Sequence, residues 1–239
     1  MTEKSKGKKL AEELGYSFEH IAKRMPEDVD RSAKFCEDYK VFMNRSKTER
    51  ECCAYVKKLA DAEGYKEFKQ DGKYKSGDRL YYINRGKNII LVTVGKKPLE
   101  EGARFNIAHI DSPRLDLKPF PLYENDEIAY FKTHYYGGIR KYQWGTTPLA
   151  MHGVVMLKDG TKKEICIGED EADPKFVISD LLPHLSAKQN KRPLNEGLKG
   201  EELNIIIGNI PYQDKEVKEA FKLNALKILN DHFGMTEKD

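Results

Sequence analysis

Apolar residues recur three and four positions apart at Val29, Ala33, Cys36, Tyr39 and Met43, the spacing that lines one face of a helix. A second helix is predicted directly after it. There Ser46 with Glu49 reads as a capping box, Cys52, Val56, Leu59 and Ala60 supply the apolar stripe, and Gly64 stands where a left-handed carboxyl cap belongs. The pattern then shortens. Arg79–Asn84 and residues 88–94 are β-branched and aromatic runs separated by Arg85-Gly86-Lys87, a hairpin signal. Residues 104–110 (RFNIAHI) predict a third, buried strand, and Asp111-Ser112 opens the loop after it.

Further along, TPLAMHGVVML from Thr147, a turn at Asp159-Gly160 and the return KKEICI predict another hairpin. A short strand at 176–178, a helical turn around 181–185, a polar stretch at 188–202 and a strand at 203–207 follow. The last predicted helix is capped by Asp214, shows Val217, Phe221, Ala225 and Ile228 on one face, and ends near Gly234.

Charge changes this picture little. The 239 residues hold 42 Lys plus Arg against 39 Asp plus Glu, spread evenly, so neither a nucleic-acid partner nor a generic basic binding surface is expected. The longest apolar run, 89–94, is far too short to span a bilayer, and the charged amino terminus lacks the apolar core of a signal peptide. Cys36, Cys52, Cys53 and Cys166 form no CxxC pair, which suits a reducing compartment; the expected location is cytoplasmic.

The candidate chemistry lies at His109-Ile110-Asp111. Residues two apart on a strand project to one face, so imidazole and carboxylate would stand side by side. A metal-binding imidazole commonly donates its other N–H to a carboxylate, which would make His109 the ligand and Asp111 its orienter. With six histidines in the chain, an HxD spacing arises by chance in about one chain in three, so the motif gains weight only from its place where a buried strand meets the Ser112-Pro113 loop. Residues 133–144 (THYYGGIRKYQW) read as a shaped loop, either facing a substrate or packed by its own aromatic side chains. His152 reads as a hydrogen-bonded, partly buried histidine, and His20 and His232 as surface helix residues.

Four stretches in order, HIDSPRLDLKPFPLYE from His109, KTHYYGGIRKYQW from Lys132, PLAMHGVV from Pro148 and ISDLLPHL from Ile178, closely resemble the aspartyl aminopeptidase family of zinc metallopeptidases, bacterial members above all. The resemblance runs from about Asp28 to the last helix and includes NRGK at Asn84 and IGEDEADP at Ile167. It implies an α/β fold: part of a zinc-peptidase-like catalytic domain (1–152), an inserted, mainly β assembly domain (153–208), and a helix leading back to the catalytic domain (209–239). It also implies hydrolysis of amino-terminal residues from peptides by zinc-activated water, two zinc ions per complete site, and self-association into a dodecamer.

By that resemblance His109 binds one zinc, Asp111 orients it, and His184 is presented to the active site of a neighbouring subunit. Family members are roughly twice as long, and the remaining ligands and the general base lie in their other half. The chain is accordingly expected to be an amino-terminal half, inactive alone; the alternative is a non-catalytic assembly subunit. Uncovered apolar surface is expected on 89–94 and 105–107.

Overall fold

The computed structural model describes residues 4–239. Helices α1 (Lys6–Leu14), α2 (Ile21–Arg24), α3 (Glu27–Arg45) and α4 (Glu49–Ala62) come first. The predicted apolar face of α3 is real in spacing but lies in solvent: Val29, Tyr39 and Met43 are all exposed. The helix meets α4 near its carboxyl end, where the rings of Phe42 and Tyr55 stand 6.0 Å apart.

Helix α4 begins one pair later than the expected Ser46/Glu49 box. Thr48 is the cap, its hydroxyl accepts from the Glu51 N–H, and the Glu51 carboxylate accepts from the Thr48 N–H at 2.9 Å. Glu49 is instead engaged by a distant arginine, Arg114. Gly64 takes φ +79°, as the carboxyl-cap pattern requires.

Strands β1 (Lys66–Glu67), β2 (Arg79–Asn84) and β3 (Asn88–Thr93) form one sheet, in which β2 and β3 are the predicted antiparallel hairpin. Arg85 and Gly86 both have positive φ, which matches the twist of a tight hairpin. Helix α4 covers this sheet and buries Cys52, Cys53 and Ala60 beside Leu80 and Tyr81. On β3, Ile90, Leu91 and Val92 are exposed, as expected.

The strand predicted at 104–110 does not form. Residues 102–113 belong to no helix or strand, and Phe105 and Ile107 are 79% and 90% exposed. Apolar character makes a strand only where a ladder partner exists, and none of the described residues supplies one here.

A hairpin that the sequence reading missed follows, β4 (Arg114–Asn125) and β5 (Ile128–Tyr136), bulged between Leu117 and Leu122. Pro119 and Pro121 hid it, because proline argues against a strand and is accommodated here at the bulge. Residues 133–136 are therefore strand, not loop; Lys141–Trp144 is a 3-10 turn.

Strands β6 (Met151–Met156) and β7 (Lys162–Ile167) form the predicted hairpin as a separate sheet. Residues 176–178 make only isolated bridges, to Gly145, Leu149 and Ile206. Strand β8 (Ile205–Gly208) joins β5 antiparallel.

The last helix, α5 (Ala220–Phe233), starts six residues after Asp214, which closes a local turn by accepting from the Glu216 N–H. Its free amino-terminal N–H groups at Phe221 and Lys222 are bound instead by the carboxylate of Glu124, at 3.0 and 2.9 Å. Helix α5 packs on β4, β5 and β8 over the main core of Leu122, Ala129, Phe131, Ile178, Leu198, Leu203, Ile205 and Ala225. The buried Thr133 hydroxyl donates to the Leu203 carbonyl within it.

Candidate metal-ligand site

His109 and Asp111 meet although no strand holds them. Nδ1 of His109 lies 3.0 Å from Oδ1 of Asp111 and 3.1 Å from the Asp111 carbonyl oxygen. Both partners only accept, so Nδ1 donates to them, and in the neutral ring Nε2 is then the lone-pair nitrogen. The imidazole is 83% exposed, leaving Nε2 open to solvent.

The other oxygen of Asp111, Oδ2, accepts the Tyr136 hydroxyl at 2.9 Å. This bond foremost, with the backbone N–H of Asp111 and the His109 ring, holds the Asp111 carboxyl below the ordinary carboxylate range and pushes the Tyr136 phenol up. Tyr136 ends β5 and is paired in register with Arg114, the first residue of β4. The Arg114 guanidinium sits 4.2 Å from the Tyr136 ring centre, donates from Nη1 to Glu49 of α4 and from Nε to Asp116, both at 2.8 Å.

His184 is exposed on the turn after Asp180 and does not meet His109 or Asp111 through any contact among the described residues. His152 has the expected satisfied character: its ring nitrogens each lie 2.8 Å from a carboxylate, Glu51 on one side and Glu169 on the other. His134 stacks on Tyr135. Sequence reading did not assign Tyr136, Arg114 or Glu49 to this site. The one available signal was the aromatic and glycine crowding at 133–144, which marked the stretch without saying what it touches.

His109 has the carboxylate partner that a metal-binding imidazole commonly has. The set as a whole does not make a metal centre: no group of three or more His, Cys, Asp or Glu among the described residues could hold an ion, while catalytic zinc takes three protein ligands.

Residues 42–239 match the family model described as "Aminopeptidase I zinc metalloprotease (M18)", which places the chain among the zinc metallopeptidases. A relative from Clostridium acetobutylicum, named "Probable M18 family aminopeptidase 1", is 47% identical over 205 residues, 84% of this chain and 44% of the relative. The crystal structure of an M18 aminopeptidase from Thermotoga maritima superposes with a TM-score of 0.83 at 44% identity, over 88% of this chain and 46% of that one. Aminopeptidase I from Borrelia burgdorferi B31 gives 0.77 at 39% identity, over 89% and 48%.

The chain belongs to the M18 family. It spans about half the length of the curated relatives it matches. A yeast structure described as an mApe1 dodecamer shares the fold at 18% identity and a TM-score of 0.57.

Proposed function

We propose that the chain supplies part of the active site of a metallo-aminopeptidase that removes amino-terminal residues from peptides, with His109 as a ligand of one of two zinc ions. Asp111 orients His109, and His184 reaches the active site of a neighbouring subunit in a dodecamer. The observation that carries this reading is the His109 Nδ1 to Asp111 Oδ1 contact at 3.0 Å with Nε2 left open. Family membership carries the zinc and the peptidase class.

Zinc in such a site acidifies a bound water and polarises the scissile carbonyl. Asp111 holds the His109 ring through Nδ1 and leaves Nε2 to face such an ion. The partition into 1–152, 153–208 and 209–239 is part of the same proposal. It rests on the family resemblance alone: the 152/153 boundary falls inside β6, β8 pairs with β5, and the main core draws on all three parts. No described helix is long and apolar enough to cross a membrane, and the four cysteines are free thiols, which suits the cytoplasm.

The test is to mix the purified chain with the carboxyl-terminal half of the Thermotoga maritima relative, add zinc, and assay hydrolysis of aminoacyl substrates. Activity in the mixture alone, lost with His109→Ala, is the expected result. Halves that associate and fold yet show no hydrolysis overturn the catalytic reading.

A further inference from the structure

The segment that bears His109 has no structural support of its own. Among the described residues, 103–112 make no backbone-to-backbone hydrogen bond, and their apolar side chains Phe105 and Ile107 face solvent. A segment with no ladder and, beyond the half-buried Ile110, no packed large apolar side chain is held largely by the side-chain contacts that reach it. Apart from the internal His109–Asp111 pair, two polar contacts from elsewhere do so. The Tyr136 hydroxyl donates to Asp111 Oδ2 at 2.9 Å, and Arg114 Nη1 donates to the Ser112 carbonyl at 3.4 Å. Both come from one cross-strand pair, since Arg114 and Tyr136 face each other at the end of the β4–β5 hairpin.

That pair is itself immobilised. Arg114 is tied to Glu49 at one guanidinium nitrogen and to Asp116 at another, and its plane lies over the Tyr136 ring. A planar fork that uses two carboxylates and a ring face has little freedom left, and lysine could not reproduce it. The phenol is thereby aimed at Asp111. With Oδ2 occupied by Tyr136, the carboxylate cannot spin about its Cβ–Cγ bond without losing that bond, and Oδ1 stays turned to His109 Nδ1.

We infer that Tyr136, clamped by Arg114, is a positioning residue for His109: it fixes the Asp111 carboxylate, which in turn keeps the proton on Nδ1 and Nε2 free for metal. The inference rests on the reading of His109 as a metal ligand. It extends the site by one step, from the motif residues to a pair on a different structural unit. Partners beyond the ligands typically alter metal affinity by about 10–100-fold when removed, so such a step is large enough to matter.

The experiment needs no metal. The whole chain, labelled with ¹⁵N at histidine, is examined by NMR at a pH where imidazole is neutral, with His109→Ala identifying the His109 ring signals. The ring nitrogens report directly which one bears the proton. Wild type is expected to show the Nδ1–H form, and Tyr136→Phe, which deletes one hydroxyl and leaves the Asp111 carbonyl as the remaining fixed acceptor, to lose part of it while its thermal unfolding is unchanged. Arg114→Lys is expected to shift the ring the same way by a smaller amount.

A Tyr136→Phe ring that keeps the wild-type tautomer overturns the positioning role and leaves the His109–Asp111 reading intact. An unchanged ring in Arg114→Lys removes the clamp from the proposal. A wild-type ring without the Nδ1–H form overturns the His109–Asp111 pairing and the inference built on it together. A merely structural tyrosine would lower the unfolding temperature and leave the tautomer alone.

Discussion

Two stretches of this chain, 203–207 and 104–110, read alike as strands in sequence and are opposite in fate. Leu203 and Ile205, entering β8, are buried beneath α5 against Phe131 and Ile178, whereas Phe105 and Ile107, in a run just as β-prone, stand in solvent. The difference lies in partners. Strand β8 finds the edge of β5 and bridges to Val177, while 103–112 finds no edge among the described residues. Burial follows the ladder, and the ladder depends on chain that is remote in sequence. The region presenting His109 is thus thinly packed, and its order depends on a few polar contacts.

The contrast is broken most strongly at the core end. Leu203→Ala, at a site with no exposed surface, is expected to lose about 2–5 kcal/mol through lost burial and a cavity, read as a lower midpoint in urea unfolding. Thr133→Val removes the buried donor to the Leu203 carbonyl and strands that acceptor, which should cost about 1–3 kcal/mol in the same assay. Glu124→Ala frees the N–H groups of Phe221 and Lys222 and should cost about 1–2 kcal/mol, with hydrogen exchange rising first in the opening turn of α5.

A smaller effect is expected from Glu202. Burial raises its pKa, but the Arg192 guanidinium and the Lys199 N–H outweigh this and hold the carboxyl below its ordinary range. A carboxyl whose native value lies below its unfolded value stabilises the fold above the unfolded value, and that contribution disappears as pH falls through the native one. Arg192→Gln should therefore weaken the protein near neutral pH and flatten its stability profile on the acid side, seen in unfolding midpoints across the pH range. At the other extreme, Ile107→Ser should change stability by less than about 0.5 kcal/mol. Limited proteolysis is expected to cut first within 103–112; resistance there would show that the segment has a partner after all.

Local signals survived into the structure where they were sufficient in themselves. The helix at 49–62, its glycine carboxyl cap, the Arg85-Gly86 hairpin and the Asp159-Gly160 hairpin all rest on contacts a few residues apart. The capping box was read one pair too early, because Ser46/Glu49 and Thr48/Glu51 carry the same pattern, and Arg114, 65 residues from Glu49, claims that glutamate. Helix α5 begins late for the same kind of reason, since its amino-terminal partner, Glu124, lies 97 residues before Phe221. The His109–Asp111 contact was legible in its spacing, but the strand assumed to create it was not there.

What the sequence by itself determined was the set of short-range choices: helix periodicity, turn residues with positive φ, and a histidine placed two residues from a carboxylate. Only the tertiary structure decided which apolar runs are covered, and that the end of the β4–β5 hairpin would bring Tyr136 to Asp111. The reason is physical. A turn or a cap is satisfied by atoms its own neighbours carry, whereas burial and the aim of an exposed ligand depend on surfaces that the chain brings together only by folding.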